Sequence, residues 1–133
     1  MNYRSINDLN QTILKQLFKI PRDIDLIVGV PRSGMIPANL LALYLNLPYT
    51  DIHSFINGFI YKSGARKQFF DTSNYKNILI VDDSIASGSA LKEVKENLKH
   101  LDAKYSFKYC VVYATPEKQN SLDFVLELKL YFL

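Results

Sequence analysis

Two adjacent carboxylates, Asp82 and Asp83, close an apolar run and are followed by a turn of small and hydroxyl residues, in the stretch Ile78-Leu79-Ile80-Val81-Asp82-Asp83-Ser84-Ile85-Ala86-Ser87-Gly88-Ser89-Ala90. Paired acids at the end of a buried strand are costly unless something binds them. Carboxylates accept hydrogen bonds from vicinal hydroxyls, so the pair suits a sugar diol. A turn of small residues leading into a helix presents backbone N–H groups and a positive dipole end, which suits a phosphate. A phosphate cradle a few residues beyond a diol clamp describes a ribose 5-phosphate.

A second loop, Pro31-Arg32-Ser33-Gly34, breaks another apolar run and offers a guanidinium with backbone donors to an anion. By itself it could equally be a tight bend. A third stretch, Ser54–Lys76, mixes Gly58, Gly64, Asn57, Ser63, Asp71 and Asn74 with basic and aromatic side chains and shows no clean period. It reads as a long irregular segment, of the kind that inside a compact domain carries function or is disordered.

The elements that must position these loops follow from hydrophobic spacing. Ser5 followed by Asp8 marks a helix start. Ile6, Leu9, Ile13, Leu14, Leu17 and Phe18 then form one apolar stripe, which Pro21 ends. Asp25–Val30 is a short, branched run expected to be a strand buried on both faces. Pro37 suits the first turn of a helix continuing through Ala38–Leu45. Tyr49–Ile52 and Asn77–Val81 read as further strands, the latter followed by a turn over Asp82–Ser89. Leu91, Val94, Leu98 and Leu101 give an amphipathic helix; Tyr105–Tyr113 and the half-exposed Phe124–Leu130 are the last strands. Strands alternating with helices imply an α/β fold with a mostly parallel sheet, in which ligands bind beyond the carboxyl ends of the strands. The loops at 31–34 and 82–89 both follow a buried strand, so they are expected to open onto one edge.

Composition bounds the function classes. The chain has 133 residues, enough for one domain with a real core, and its 48% apolar and 22% charged residues are those of an ordinary globular protein. A net charge of +3 from scattered basic residues argues against nucleic acid as partner and suits small polyanions. The one cysteine, Cys110, excludes an internal disulfide and reads as a buried small hydrophobe in a reducing compartment. The N-terminus is too polar for a signal peptide, and apolar runs such as Leu40–Leu45 are too short to span a membrane, so a cytoplasmic protein without membrane partners is expected. His53 and His100 have no partners at metal-ligand spacing.

The segment Ile78–Ala90 resembles the PRPP-binding (5-phosphoribosyl-1-diphosphate) motif of the type I phosphoribosyltransferases, and Gly29-Val30-Pro31-Arg32-Ser33-Gly34-Met35-Ile36-Pro37-Ala38 resembles that family's diphosphate loop. The order and spacing match over roughly Leu26–Thr115. The resemblance implies one phosphoribosyltransferase-like domain over the whole chain with a reduced hood, transferring 5-phosphoribosyl from PRPP to a nitrogenous base and releasing diphosphate. It places Asp82 and Asp83 on the ribose hydroxyls and near Mg²⁺. It places Ala86, Ser87, Gly88, Ser89 and Ala90 around the 5-phosphate, and Arg32, Ser33 and Gly34 on the diphosphate. The family's loop often contains a cis peptide, for which Arg32–Ser33 is the candidate bond. A mobile loop closing over the diphosphate makes Lys62, Arg66 and Lys67 catalytic candidates, with Gly58 and Gly64 as hinges. Ser89-Ala90 looks more like the orotate-using branch, and Ala86 stands where branches using 6-oxopurines carry an acid, which leaves the base open. An apolar end, Leu130-Tyr131-Phe132-Leu133, and a final edge strand suggest a homodimer. Two other readings remain. One is a non-catalytic PRPP- or nucleotide-binding regulatory module. The other is a phosphorylated receiver-type switch, disfavoured because the acid pair lies mid-chain with a phosphate loop behind it.

Overall fold

A computed structural model of the chain describes residues 5–61, 67–69, 74–85 and 89–128. The elements run α1 (Ile6–Gln16), a 3₁₀ turn at Leu17–Lys19, β1 (Leu26–Gly29), α2 (Met35–Leu45), β2 (Tyr49–Asp51), α3 (Ile52–Ile56), β3 (Phe59–Tyr61), β4 (Lys67–Phe69), β5 (Asn77–Ile85), α4 (Ser89–Leu98), β6 (Ser106–Ala114) and β7 (Phe124–Leu128). They build a seven-stranded sheet in the order β4-β3-β2-β1-β5-β6-β7. The five strands β2, β1, β5, β6 and β7 are mutually parallel. A short antiparallel ribbon, β3 and β4, extends the β2 edge. The α/β class and the parallel sheet are as expected.

Helix ends follow local chemistry. The Ser5 hydroxyl accepts the Asp8 N–H at 3.1 Å and starts α1. Asn46, at φ 54°, closes α2 in a left-handed cap whose N–H reaches the Ala42 and Leu43 carbonyls. At the amino ends of the strands the Asp25 carboxylate accepts the N–H groups of Lys76 and Asn77 at 3.0 and 3.1 Å, tying the entries of β1 and β5 together.

The sheet is buried on both faces, and its period of two sorts the core. Ile27, Leu79, Val81, Cys110 and Val112 pack with Leu9 and Ile13 of α1 and Ala38 and Leu41 of α2. Leu26, Val28, Ile78 and Ile80 pack on the other face with Phe55, Val94, Leu98 and Tyr105. Cys110 is buried, and burial pushes its thiol up to about 12. Truncating fully buried Leu79 to alanine is expected to cost about 3 kcal/mol in urea unfolding, whereas Phe18→Ala, at a side chain 80% exposed, should change stability by less than about 0.5 kcal/mol.

Three expectations are corrected. The apolar stripe of α1 is only partly core: Leu9 and Ile13 are buried, but Ile6, Leu14 and Phe18 are exposed, because α2 and the sheet meet one side of the helix. The stretch 54–76 is not irregular throughout. Asp51 caps α3 through the His53 and Ser54 N–H groups, Gly58 turns the chain at φ 83°, and the Thr50 hydroxyl donates to the Phe59 carbonyl at 2.5 Å. These local bonds supply the order that periodicity did not reveal. Finally, β5 does not end at Val81. It runs on through both acids to Ile85 because the long neighbour β6 keeps pairing, Asp82 against Val111 and Ser84 against Tyr113.

Candidate functional site

The chain leaves β1 for β2 on one side, yet β5 pairs with β1 on the other, so the strand order reverses between β1 and β5. That switch point is where an open parallel sheet makes its ligand crevice. The Pro31–Gly34 loop leaves the carboxyl end of β1, and the acid pair stands at the carboxyl end of β5 beside it, so the convergence expected of these two segments is present.

The loop is fastened to β5. The Val30 N–H donates to the Val81 carbonyl at 2.9 Å, and the Gly34 N–H turns back to the Val30 carbonyl at 2.9 Å. The Met35 N–H then meets the Arg32 carbonyl at 3.0 Å and α2 begins. Gly34 is there for space. A Cβ at this position would lie 2.4 Å from the Val30 carbonyl oxygen, 2.8 Å from that of Val81 and 3.0 Å from Asp82 Oδ1. Gly29 has a similar reason, since its Cβ would meet Met35 Sδ at 2.6 Å and Ala38 Cβ at 2.9 Å, where α2 crosses closely over β1. Pro31 and Arg32 are exposed and Ser33 is half-buried. A cis peptide is present, but it joins Pro31 to Arg32 and not Arg32 to Ser33. Likeness in residue types locates the loop without locating the bond within it.

The two acids differ. Asp82 is half-buried; burial, with the Asp83 carboxyl close beside it, raises its carboxyl from 3.8 to about 7. Asp82 Oδ1 accepts the Asp83 N–H at 2.8 Å. Asp83 is only 2% exposed. By the period of two it belongs with Leu79 and Val81, on the face covered by α2. Its Oδ1 accepts the Ser33 hydroxyl at 3.0 Å and the Ser84 N–H at 2.8 Å. Its Oδ2 is buried and has no hydrogen-bond partner among the described residues. The Ser33–Asp83 bond was not legible beforehand, since it joins residues fifty positions apart.

Of the other candidates, Ser89 and Ala90 open α4 and are exposed, which puts a helix N-terminus just past the end of β5. Lys67 opens β4, opposite Tyr61. Lys62, Gly64, Arg66, Ala86, Ser87 and Gly88 lie outside the described residues. No group of three or more His, Cys, Asp or Glu residues that could hold a metal occurs among the described residues. No helix among them is long and apolar enough to cross a membrane.

Known proteins resemble this chain in sequence and in fold. A transcriptional regulator, GfcR 2, of Methanosarcina acetivorans is 32% identical over 94 residues, 69% of this chain and 46% of that protein. Xanthine phosphoribosyltransferase 1 of Clostridium botulinum is 29% identical over 110 residues, 70% of this chain and 56% of that one. The chain thus spans about half the length of the curated relatives it matches. A purine phosphoribosyltransferase structure from Pyrococcus horikoshii superposes with a TM-score of 0.65 at 27% identity, over 96% of this chain and 86% of that one. The model of the phosphoribosyl transferase domain matches residues 2–128, and the chain belongs to that family.

Proposed function

We propose that the chain binds PRPP across the β1/β5 switch point and transfers its phosphoribosyl group to a nitrogenous base or a related acceptor, releasing diphosphate. The observation that carries this reading is the fastening of an Arg-bearing loop onto the strand end that holds twin acids. It brings a diphosphate site and a diol acceptor side by side. Arg32 and the loop amides would take the diphosphate oxygens, with Lys62, Arg66 and Lys67 closing from the β3–β4 connection. The acid pair addresses the ribose through its accessible member, Asp82. The 5-phosphate would sit at 86–90, at the N-terminus of α4.

Departure of diphosphate from the anomeric carbon leaves an oxocarbenium-like sugar, the charge development seen in glycoside cleavage. Preorganised donors on the leaving group and carboxylate charge beneath the sugar both favour that state. The hard carboxylate oxygens suit Mg²⁺. Asp82, the accessible acid, would hold the ion together with the diphosphate oxygens. When bound it neutralises charge on the leaving group. A base nitrogen attacks the opposite face of the sugar, with no covalent enzyme intermediate.

The names of the relatives favour purine acceptors, against the orotate-like features at Ser89-Ala90. Exposed Leu43 and Tyr44 on α2, with Ile6 and Leu14 on α1, support a homodimer. A phosphorylated sugar as ligand and a single cysteine favour a cytoplasmic setting. A second reading, a PRPP- or nucleotide-sensing regulatory domain without turnover, is favoured by the 32% identity to a transcriptional regulator.

Calorimetry with PRPP and Mg²⁺, followed by a diphosphate-release screen over orotate, adenine, hypoxanthine, xanthine and guanine, separates the two. Binding with release supports the enzyme; binding with no release for any base supports the sensor. Wild-type protein that binds no PRPP refutes both. Arg32→Ala is expected to weaken diphosphate about tenfold or more and ribose 5-phosphate by less than about threefold.

A further inference from the structure

The twin acids do not stand in equivalent places. Asp82 is half-buried at the edge of the crevice, whereas Asp83 is 2% exposed and lies beneath the loop that follows β1. A buried carboxylate with one bare oxygen is costly. Its bonded oxygen is occupied from within the protein, by the Ser33 hydroxyl and the Ser84 N–H. Its other oxygen is closed to solvent and meets no hydrogen-bond partner among the described residues. A ribose hydroxyl therefore has no open path to Asp83 in this arrangement, while it has one to Asp82.

What Asp83 does reach is the loop. Ser33 sits between Arg32, whose side chain is exposed, and Gly34, which is pressed against the Val81 carbonyl. The Val30 N–H holds one end of the loop to β5, and the close approach of Gly34 holds the other. The Ser33–Asp83 bond is the side-chain link between these two backbone contacts.

We propose that Asp83 is a positioning residue for the diphosphate loop: it holds the Ser33 hydroxyl, and through it the placement of Arg32 and the loop amides, while Asp82 is the acid that meets the ribose. This division rests on the reading of the crevice as a PRPP site. It departs from the expectation that both acids clasp the sugar. Ser33 changes role as well, since its hydroxyl is turned inward and only its backbone is left for the diphosphate.

The test measures magnesium diphosphate and ribose 5-phosphate separately by calorimetry on wild type, Ser33→Ala, Asp83→Ala and the double variant. Ser33→Ala and Asp83→Ala are each expected to weaken diphosphate about tenfold and to leave ribose 5-phosphate within about twofold. The double variant should be no weaker than either single one, because both remove the same link. Ser33→Thr keeps the hydroxyl and should restore diphosphate affinity to within about threefold of wild type. If Asp83→Ala proves unfolded, the diphosphate/ribose 5-phosphate split in Ser33→Ala and its rescue by Ser33→Thr decide the matter. A loss on ribose 5-phosphate equal to or greater than that on diphosphate, or losses that multiply in the double variant, overturns the brace. Wild-type protein that takes neither ligand refutes the PRPP reading and this role together, whereas wild-type binding without the split refutes the role alone.

Discussion

Gly34→Ala is expected to lower diphosphate and PRPP affinity at least about a hundredfold and to cost about 3 kcal/mol of stability. The backbone of Gly34 is ordinary, with φ −67° and ψ −16°, so alanine meets no dihedral penalty. The whole cost is space. The new methyl would stand 2.4 Å from the Val30 carbonyl and 2.8 Å from the Val81 carbonyl, and both are backbone atoms that no rotamer change can move. Relief requires the loop to rise from β5, which parts the Val30–Val81 and Ser33–Asp83 bonds and displaces Arg32. Urea unfolding with calorimetry on magnesium diphosphate reads both effects. Wild-type affinity and stability in this variant would mean that loop and strand are not in contact as described.

Asp82→Asn should separate binding from stability in opposite directions. Loss of the accessible carboxylate is expected to weaken ribose 5-phosphate up to about a hundredfold at pH 8, the scale of a charge-assisted hydrogen bond. The same change should stabilise the fold at that pH. Burial and the neighbouring Asp83 hold the Asp82 carboxyl at about 7 against 3.8 in the open chain. Between those values the folded protein keeps a proton that the unfolded chain releases, so stability falls as pH rises from about 4 to about 7. Above that window the ionised group costs of order 3 kcal/mol, which asparagine avoids. The melting temperature of Asp82→Asn should exceed wild type by roughly 5–10 °C at pH 8, with the difference fading toward pH 4. Wild-type affinity for ribose 5-phosphate should rise with pH through about 7, and the variant should lose that rise. A variant that melts lower than wild type at pH 8 would show that Asp82 carries no such burden.

A site residue that weakens the fold it stands in fits a general pattern, in which binding groups are held in positions that packing alone would not choose. Asp83, buried with one oxygen that has no partner among the described residues, adds a similar burden on the same strand. The twin acids are therefore informative twice, as residue types in the chain and as an imbalance in the folded crevice.

Much of this was legible without coordinates. Short branched runs at Asp25–Val30 and Asn77–Val81 read as strands covered on both faces, and apolar spacing at Leu91, Val94 and Leu98 as one face of a helix, because a side chain's environment repeats with the period of its backbone. The acid pair and the Pro31–Gly34 loop likewise stood out as candidates for diol and anion binding, since those groups are local in sequence. The ribbon of β3 and β4 escaped notice because its order comes from the Asp51 cap, the Gly58 turn and the Thr50–Phe59 bond, none of which has a period. The length of β5 escaped because it is set by its neighbour β6. Above all, only the tertiary structure could show that the two acids are unlike. Adjacent residues on a strand face opposite ways, so neighbours of the same type meet different surroundings, and for Asp83 the deciding partner, Ser33, arrives from a distant part of the chain.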